Sequence, residues 1–355
     1  MLRLSPFHLI LGLGALAACA EDQSPTQPGP GTEVQPSAPA VAALTSNSWT
    51  IKSAPPGFPF MNGASAGVMP DAGGNPVVYL LGGRDNDGGW STPVLTYRIA
   101  TNTWSSPGSQ PRVDVFNSNG VGRIGNLLYI SGGENFAGGG FGIQGLFFAY
   151  DPAKNTLTQK ATPPKLTAEG VTGVIDGKLY VLPAVCDGDN FPRATSCEVE
   201  AFRRLFRYNP ATNAWVTKKQ APHFHRLGAG GVINGKFYVA GGQGTNVLDR
   251  YDPATDTWKT LAPIPVTAGN VSDVRGTAFQ GKLFVISSHF NQSLNRTLFD
   301  AFSYDPATNV WTRKARPTYV HSDVVAITWG GKPYLIAVGG EDANEVPNPA
   351  ELYTP

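Results

Sequence analysis

YDPATDTW, Tyr251 to Trp258, is the stretch that decides the fold of this chain. Two aromatics flank a Pro turn, and the same frame recurs as YRIATNTW (97–104), YDPAKNTL (150–157), YNPATNAW (208–215) and YDPATNVW (304–311). The interval from the Tyr to the closing residue is 7 in every copy. Pro after Asp suits the first central position of a tight turn, and Asn or Asp further on tolerates left-handed dihedrals. Each copy therefore predicts a β-hairpin with an aromatic on either arm. A constant interval means a constant register, which packing against a neighbour requires.

A second series runs ahead of the first: NPVVYLLGG (75–83), NLLYISGG (126–133), GKLYVLPA (177–184), GKFYVAGG (235–242), GKLFVISS (281–288) and GKPYLIAVGG (331–340). Each reads as a short apolar strand, and most are entered through a Gly turn. Their last residues are spaced 50, 51, 58, 46 and 52 apart. Upstream of each lies a weaker, small-residue strand such as LGAGGVI (227–233). The unit is thus four strands with no helical periodicity, repeated along the chain.

Gly-Gly at the end of one strand, then Tyr-Asp-Pro and Trp at fixed spacing, resembles the Kelch repeat. The resemblance covers about residues 46–355 in six copies. It implies an all-β, six-bladed Kelch-type β-propeller of radially arranged four-stranded blades. Individual copies depart from the pattern. The third and fifth lack Gly-Gly, the second has Leu157 in place of Trp, and the first lacks Asp-Pro. The last copy stops at ELYTP, with Tyr353 in place but no Trp arm, and the missing arm appears at the other end as NSWTIKSAPP around Trp49. An N-terminal strand is therefore expected to complete the last blade.

Composition agrees with many short strands: 42 Gly and 30 Pro punctuate the chain, and only 15% of residues are charged. A formal net charge of +1 gives no reason to expect nucleic acid as a partner. Arg3 precedes the apolar run Leu9 to Ala18, which is too short to span a bilayer as a helix and reads as a signal-peptide core. Leu16-Ala17-Ala18-Cys19 resembles the bacterial lipobox, which implies cleavage after residue 18, a lipid on Cys19 and, with Ala20 following, the outer membrane. The organisation expected is a signal peptide at 1–18, a lipidated Cys and Pro-rich tether at 19–45, and the propeller at 46–355. The protein is then exported and monomeric, and it touches the membrane through its anchor alone, facing the periplasm or the cell surface.

From the end of each second-series strand to the repeat Tyr, the intervals are 14, 17, 24, 9, 16 and 13. Rigid strands joined by uneven loops on one face are the usual division between scaffold and site. That face is where a ligand is expected, through Arg84, Trp90, Arg112, Phe136, His223, His225, Arg226, Arg275, His289, Asn291 and Arg316. Arg226 and Arg275 occupy a place where Kelch repeats often have Arg. The longest loop holds Cys186 and Cys197, which in an exported protein are expected to pair; closing such a loop stabilises a fold by ~3 kcal/mol in the chain-entropy picture. The His residues invite a transition-metal reading, but short polar loops near a central channel collect His and Arg without one. No metal and no cofactor are assigned.

Two patterns are decoys. Gly63-Ala64-Ser65-Ala66-Gly67 matches G-x-S-x-G but falls in a small-residue strand with no helix after it. Asp85-Asn86-Asp87-Gly88 opens like a calcium loop but has Thr96 where the twelfth-position Glu belongs.

A propeller leaves function open. The lack of a clear catalytic set, the tether and the uneven loops favour a module that binds a protein or a glycan. The alternative is a carbohydrate-active enzyme, because six-bladed Kelch-type propellers include sialic acid mutarotases. Acid–base work at the channel mouth would then fall to Glu134, Glu341 or His321.

Overall fold

A computed structural model describes residues 47–55, 63–84, 92–135, 142–143, 145–165, 167–186, 203–267, 271–291, 296–341 and 346–355. Its regular structure is β: six four-stranded antiparallel sheets, the blades of a six-bladed β-propeller. Blade 1 runs from Ser65 to Ser105, blade 2 from Val121 to Gln159 and blade 3 from Val171 to Gln220. Blade 4 runs from Ala229 to Leu261 and blade 5 from Val271 to Lys314. Blade 6 takes its first three strands from Asp323 to Thr354 and its fourth from Ser48–Ile51.

The closing strand lies antiparallel to Glu351–Thr354, with Trp49 opposite Tyr353. The ring is therefore shut by the N-terminal strand, as the broken last repeat predicts. Trp49 and Tyr353 have ring centroids 5.1 Å apart, against 5.1 Å for Tyr251 and Trp258 within the unbroken hairpin. A pair split across the two ends of the chain thus reproduces the geometry of a local one.

YDPATDTW explains itself at atomic scale. Asp256 sits at φ 53°, and its counterparts Asn102, Asn155, Asn213 and Asn309 are also left-handed. The Oδ1 of Asp256 accepts the Tyr251 hydroxyl at 2.6 Å and the backbone N–H of Lys219, at the end of the preceding blade, at 3.0 Å. Trp258 Nε1 donates to the carbonyl of the same Lys219 at 2.9 Å. Asn309 with Trp311 grips Ala262 in the same way, and Asn213 with Trp215 grips Ala161. The hairpin is therefore a latch between blades. Where Leu157 replaces Trp, the Asn155 amide alone donates to Gln110 O, at 2.8 Å.

Gly-Gly has a separate cause. Gly82 is at φ 73°, and a Cβ there would lie 2.1 Å from Val115 O, while Gly83 N–H donates to that oxygen at 2.7 Å. The bend lets the next connection cross the sheet end in contact with its backbone. Blade 5 has Ser287-Ser288 instead and does not bend. Its second strand continues to Asn291, so His289 lies within a strand, paired with Leu298, rather than on a loop.

Each blade's first strand faces the axis and starts on the side where the second-to-third connections lie. The 251–258 hairpin and its relatives turn on the opposite side. These two sides are called here the loop face and the turn face.

Candidate functional site

All six blades lend their first strands or the residues just ahead of them to a cavity of about 140 Å³ on the axis at the loop face. Its walls are mostly backbone and small residues; its charged lining residues are Glu169, Arg275 and Asp323. Arg275 and Asp323 hold the same register position on neighbouring blades, opposite the residues just before Ser287-Ser288 and Gly339-Gly340 of the second strands. Asp323 accepts N–H groups from Val324 and, across the seam to blade 1, from Ala66, both at 2.7 Å. Burial pushes its carboxyl up, against those two bonds and the Arg275 charge. The Nε of Arg275 is buried with no hydrogen-bond partner. Next to them, in blade 1 and just ahead of blade 2, the Ser65 and Ser118 hydroxyls bond to each other at 2.7 Å. Ser65 of the G-x-S-x-G decoy is thus the first residue of a strand, tied to a neighbouring blade.

Beside the cavity lies a buried acidic cluster across blades 2, 3 and 4. Glu169, at φ 55°, forms a two-pronged ion pair with Arg226, whose third nitrogen donates to Gln243 Oε1 at 3.0 Å. Glu134 is 3% exposed, and its carboxyl is pushed up to about 7. Burial is the main cause and the Glu169 charge adds to it, while an Asn117 hydrogen bond and the Arg226 charge act the other way.

The other candidates fall into separate groups. In blade 4, His223 Nδ1 and His225 Nε2 converge on Asp249 Oδ2 at 2.9 and 3.1 Å, and the Thr260 hydroxyl donates to Asp249 Oδ1 at 2.8 Å. Nδ1 of His225 faces Gly241 O at 2.8 Å. Blade 6 repeats the arrangement: His321 Nδ1 faces Gly339 O at 3.2 Å, and Nε2 lies 2.9 Å from Glu351 Oε2. Burial would raise both acids, but the His hydrogen bonds, with Thr260 in one case and the Thr318 and Tyr319 N–H groups in the other, hold them below their ordinary values. These His residues fasten the leading segment of a blade to its third strand. Among the described residues no group of three or more His, Cys, Asp or Glu could hold a metal.

Arg84 and Glu341 approach to 3.7 Å, joining blade 1 to blade 6 at the rim. Arg316 stacks over the Phe299 ring at 5.3 Å, and Arg112 lies exposed in a short ribbon with Thr92–Pro93. Arg226 and Arg275 are not equivalent, in contrast to the expectation. Arg226 lies three residues ahead of the first strand of blade 4, whereas Arg275 is inside the first strand of blade 5, opposite Ile286. Trp90, Phe136, Cys19 and Cys197 lie outside the described residues, as does the Asn291 side chain; the Cys186–Cys197 pairing and the Asp85–Gly88 turn fall there too. The sequence reading missed Asp249 and Glu351, although both stand two residues before the repeat Tyr. It also missed Glu169 and Asp323, which lie at the start of small-residue strands where a charge is out of pattern.

Residues 227–265, which run from the first strand of blade 4 through its Gly-Gly bend and YDPATDTW, match a family profile described as the Kelch motif. The chain carries a Kelch motif. Kelch-like protein 25 of Xenopus tropicalis is 26% identical over 242 residues, 66% of this chain and 38% of that protein. N-acetylneuraminate epimerase of Haemophilus influenzae (strain 86-028NP) is 24% identical over 258 residues, 70% of this chain and 60% of that protein. This chain spans about two fifths of the length of the first Kelch-like relatives it matches. The solved structure of YjhT superposes with a TM-score of 0.66 over 86% of this chain and 97% of that one, at 16% identity, a likeness of fold.

Proposed function

We propose that this Kelch propeller is an exported binding module that captures a protein or glycan ligand, a protein first, on its loop face. The observation that carries the reading is the state of the charged groups there. Glu169–Arg226, Asp249 with two His residues, and Glu351–His321 are each satisfied within their own group inside the fold. The loop-face cavity holds about 140 Å³, and of these groups Glu169 lines it. Small-molecule pockets run from about 300 Å³ upward. Exposed Arg112 and the Arg316–Phe299 stack, spread over the rim, suit a broad contact better than an enclosed substrate. The match to Kelch-like proteins supports the same reading.

The export half of the proposal rests on the Leu9–Ala18 run and on Leu16–Cys19. A lipid on Cys19 would tether the propeller to a membrane, the outer one in a Gram-negative cell. Among the described residues no helix is long and apolar enough to cross a membrane.

A second reading has one observation in its favour. Glu134, with its carboxyl near 7 beside the Glu169–Arg226 pair, has the protonation behaviour of an acid–base group. Two of the proteins similar to this chain are N-acetylneuraminate epimerases. On this reading the chain is a sugar mutarotase or epimerase.

One experiment separates the two. The purified chain is applied to a glycan array and used in an envelope pull-down, with Arg112→Glu and Arg316→Glu alongside. Retention of a defined protein that both variants lose supports the binding module. Selective sugar binding, with anomer interconversion followed by NMR and lost in Glu134→Gln, sinks it in favour of the enzyme.

A further inference from the structure

Among the described residues a second cavity, about 590 Å³, opens on the turn face, at the other end of the axis from the loop face. Blades 5, 6, 1 and 2 line it. Ala66, Val121, Thr277 and Val325, one from each of these blades, also line the loop-face cavity, so they form the waist between the two. The volume falls inside the ordinary range for ligand pockets, which the loop-face cavity does not reach. Apolar side chains such as Val68, Pro76, Phe279, Ile327 and Pro333 share its walls with backbone and polar groups. Thr328 and Gln280 stand among them, and Arg123 is the one charged residue of the lining.

Arg123 is exposed near the end of the first strand of blade 2, and its Nε donates to Gly125 O at 3.1 Å. No acidic residue lines the cavity. The acid in the adjoining turn, Asp71, is already held by Arg98 at 3.2 Å and by the N–H groups of Gly73 and Asn75, both at 2.9 Å. A single guanidinium at the edge of an open recess with one apolar side selects a molecule of matching polarity: an apolar body with one anionic end.

We infer that the turn-face cavity binds a small amphipathic acid, with its carboxylate or sulfonate on Arg123 and its apolar part between blades 5, 6 and 1. The apolar side chains of the lining supply affinity and the guanidinium fixes orientation.

The test uses the purified full chain and the fluorescent anion 8-anilinonaphthalene-1-sulfonate. Saturable one-to-one binding is expected, displaced by decanoate and far less by decanol, which lacks the charge. Arg123→Gln should weaken binding about tenfold, the loss of one charge-assisted contact. Thr328→Trp, a change at an exposed lining position, should abolish it by filling the chamber, while the loop-face variant Arg316→Gln leaves it unchanged. Thermal midpoints of the variants within the error of the parent confirm that the fold survives. Probe binding that is unsaturable, or that persists unchanged in both Arg123→Gln and Thr328→Trp, overturns the assignment. So does equal displacement by decanol.

Discussion

At the scale of single residues, the buried acids set opposite pH dependences. Asp249 and Glu351 are held below their ordinary values of 3.8 and 4.5, so the unfolded chain binds their protons more tightly than the folded one. Their stabilisation is present at neutral pH and is lost as pH falls through the carboxylate range. Denaturant midpoints measured from pH 7 down to pH 3 should fall, and Asp249→Asn should flatten part of that slope while costing about 3 kcal/mol at pH 7, because it replaces the carboxylate shared by His223, His225 and Thr260 with a neutral amide that has one acceptor oxygen. Glu134 behaves in the opposite way. Its folded carboxyl titrates near 7 against an ordinary value of 4.5, so the folded state holds the proton more tightly and stability declines as pH rises between those values. Glu134→Gln should remove that decline, as read from the same midpoints between pH 4.5 and pH 7.

At the scale of the element, the Tyr-to-Trp hairpin joins local backbone to its neighbour. Asn309 serves two purposes: it occupies φ 58°, and its Oδ1 accepts both the Tyr304 hydroxyl and Ala262 N–H. Asn309→Gly keeps the backbone and removes the latch, so about 2 kcal/mol should be lost; Asn309→Ala should lose about 1 kcal/mol more, from the strained dihedral. Equal urea midpoints for the two variants would show that the dihedral contributes nothing. This element was legible in the sequence because its register repeats: seven residues from Tyr to Trp, with Asn or Asp two before the Trp. The His–acid fasteners were not legible. Each joins residues 24, 26 or 30 positions apart, and Asp249 and Glu351 occur in two blades only, where Leu95, Phe148, Phe206 and Phe302 take the same place elsewhere. A feature with two copies among six gives no period to detect. His289 was misplaced for a related reason: without Gly-Gly at Ser287-Ser288 nothing in the pattern marked where the strand ends, and it runs on.

At the scale of the whole molecule, blade count and closure followed from counting arms at both ends of the chain, because a propeller must bury every blade face against another. The axial cavities were beyond such counting. They depend on which small residues of six separate strands meet around one axis, and no interval in a linear sequence reports that. Closure makes a direct prediction. A chain beginning at residue 53 lacks the strand Ser48–Ile51 and leaves the blade 6 edge open, so its thermal midpoint should fall by on the order of 10 °C. A chain beginning at residue 46 should match the full-length protein in calorimetry. Coincident midpoints for the two truncations would mean that the ring holds without its fourth strand in blade 6.

The closing strand has a mechanical meaning too. A pull applied at Asn47, on the turn face, runs along Ser48–Ile51 rather than across it. The four residue pairs with Glu351–Thr354 then bear the load side by side instead of opening one at a time. Trp49, bonded to Ala315 O at 2.7 Å, carries part of that load into blade 5. Tension applied through the N-terminus would therefore test the seam of the ring directly, with the loop face turned away from the direction of pull.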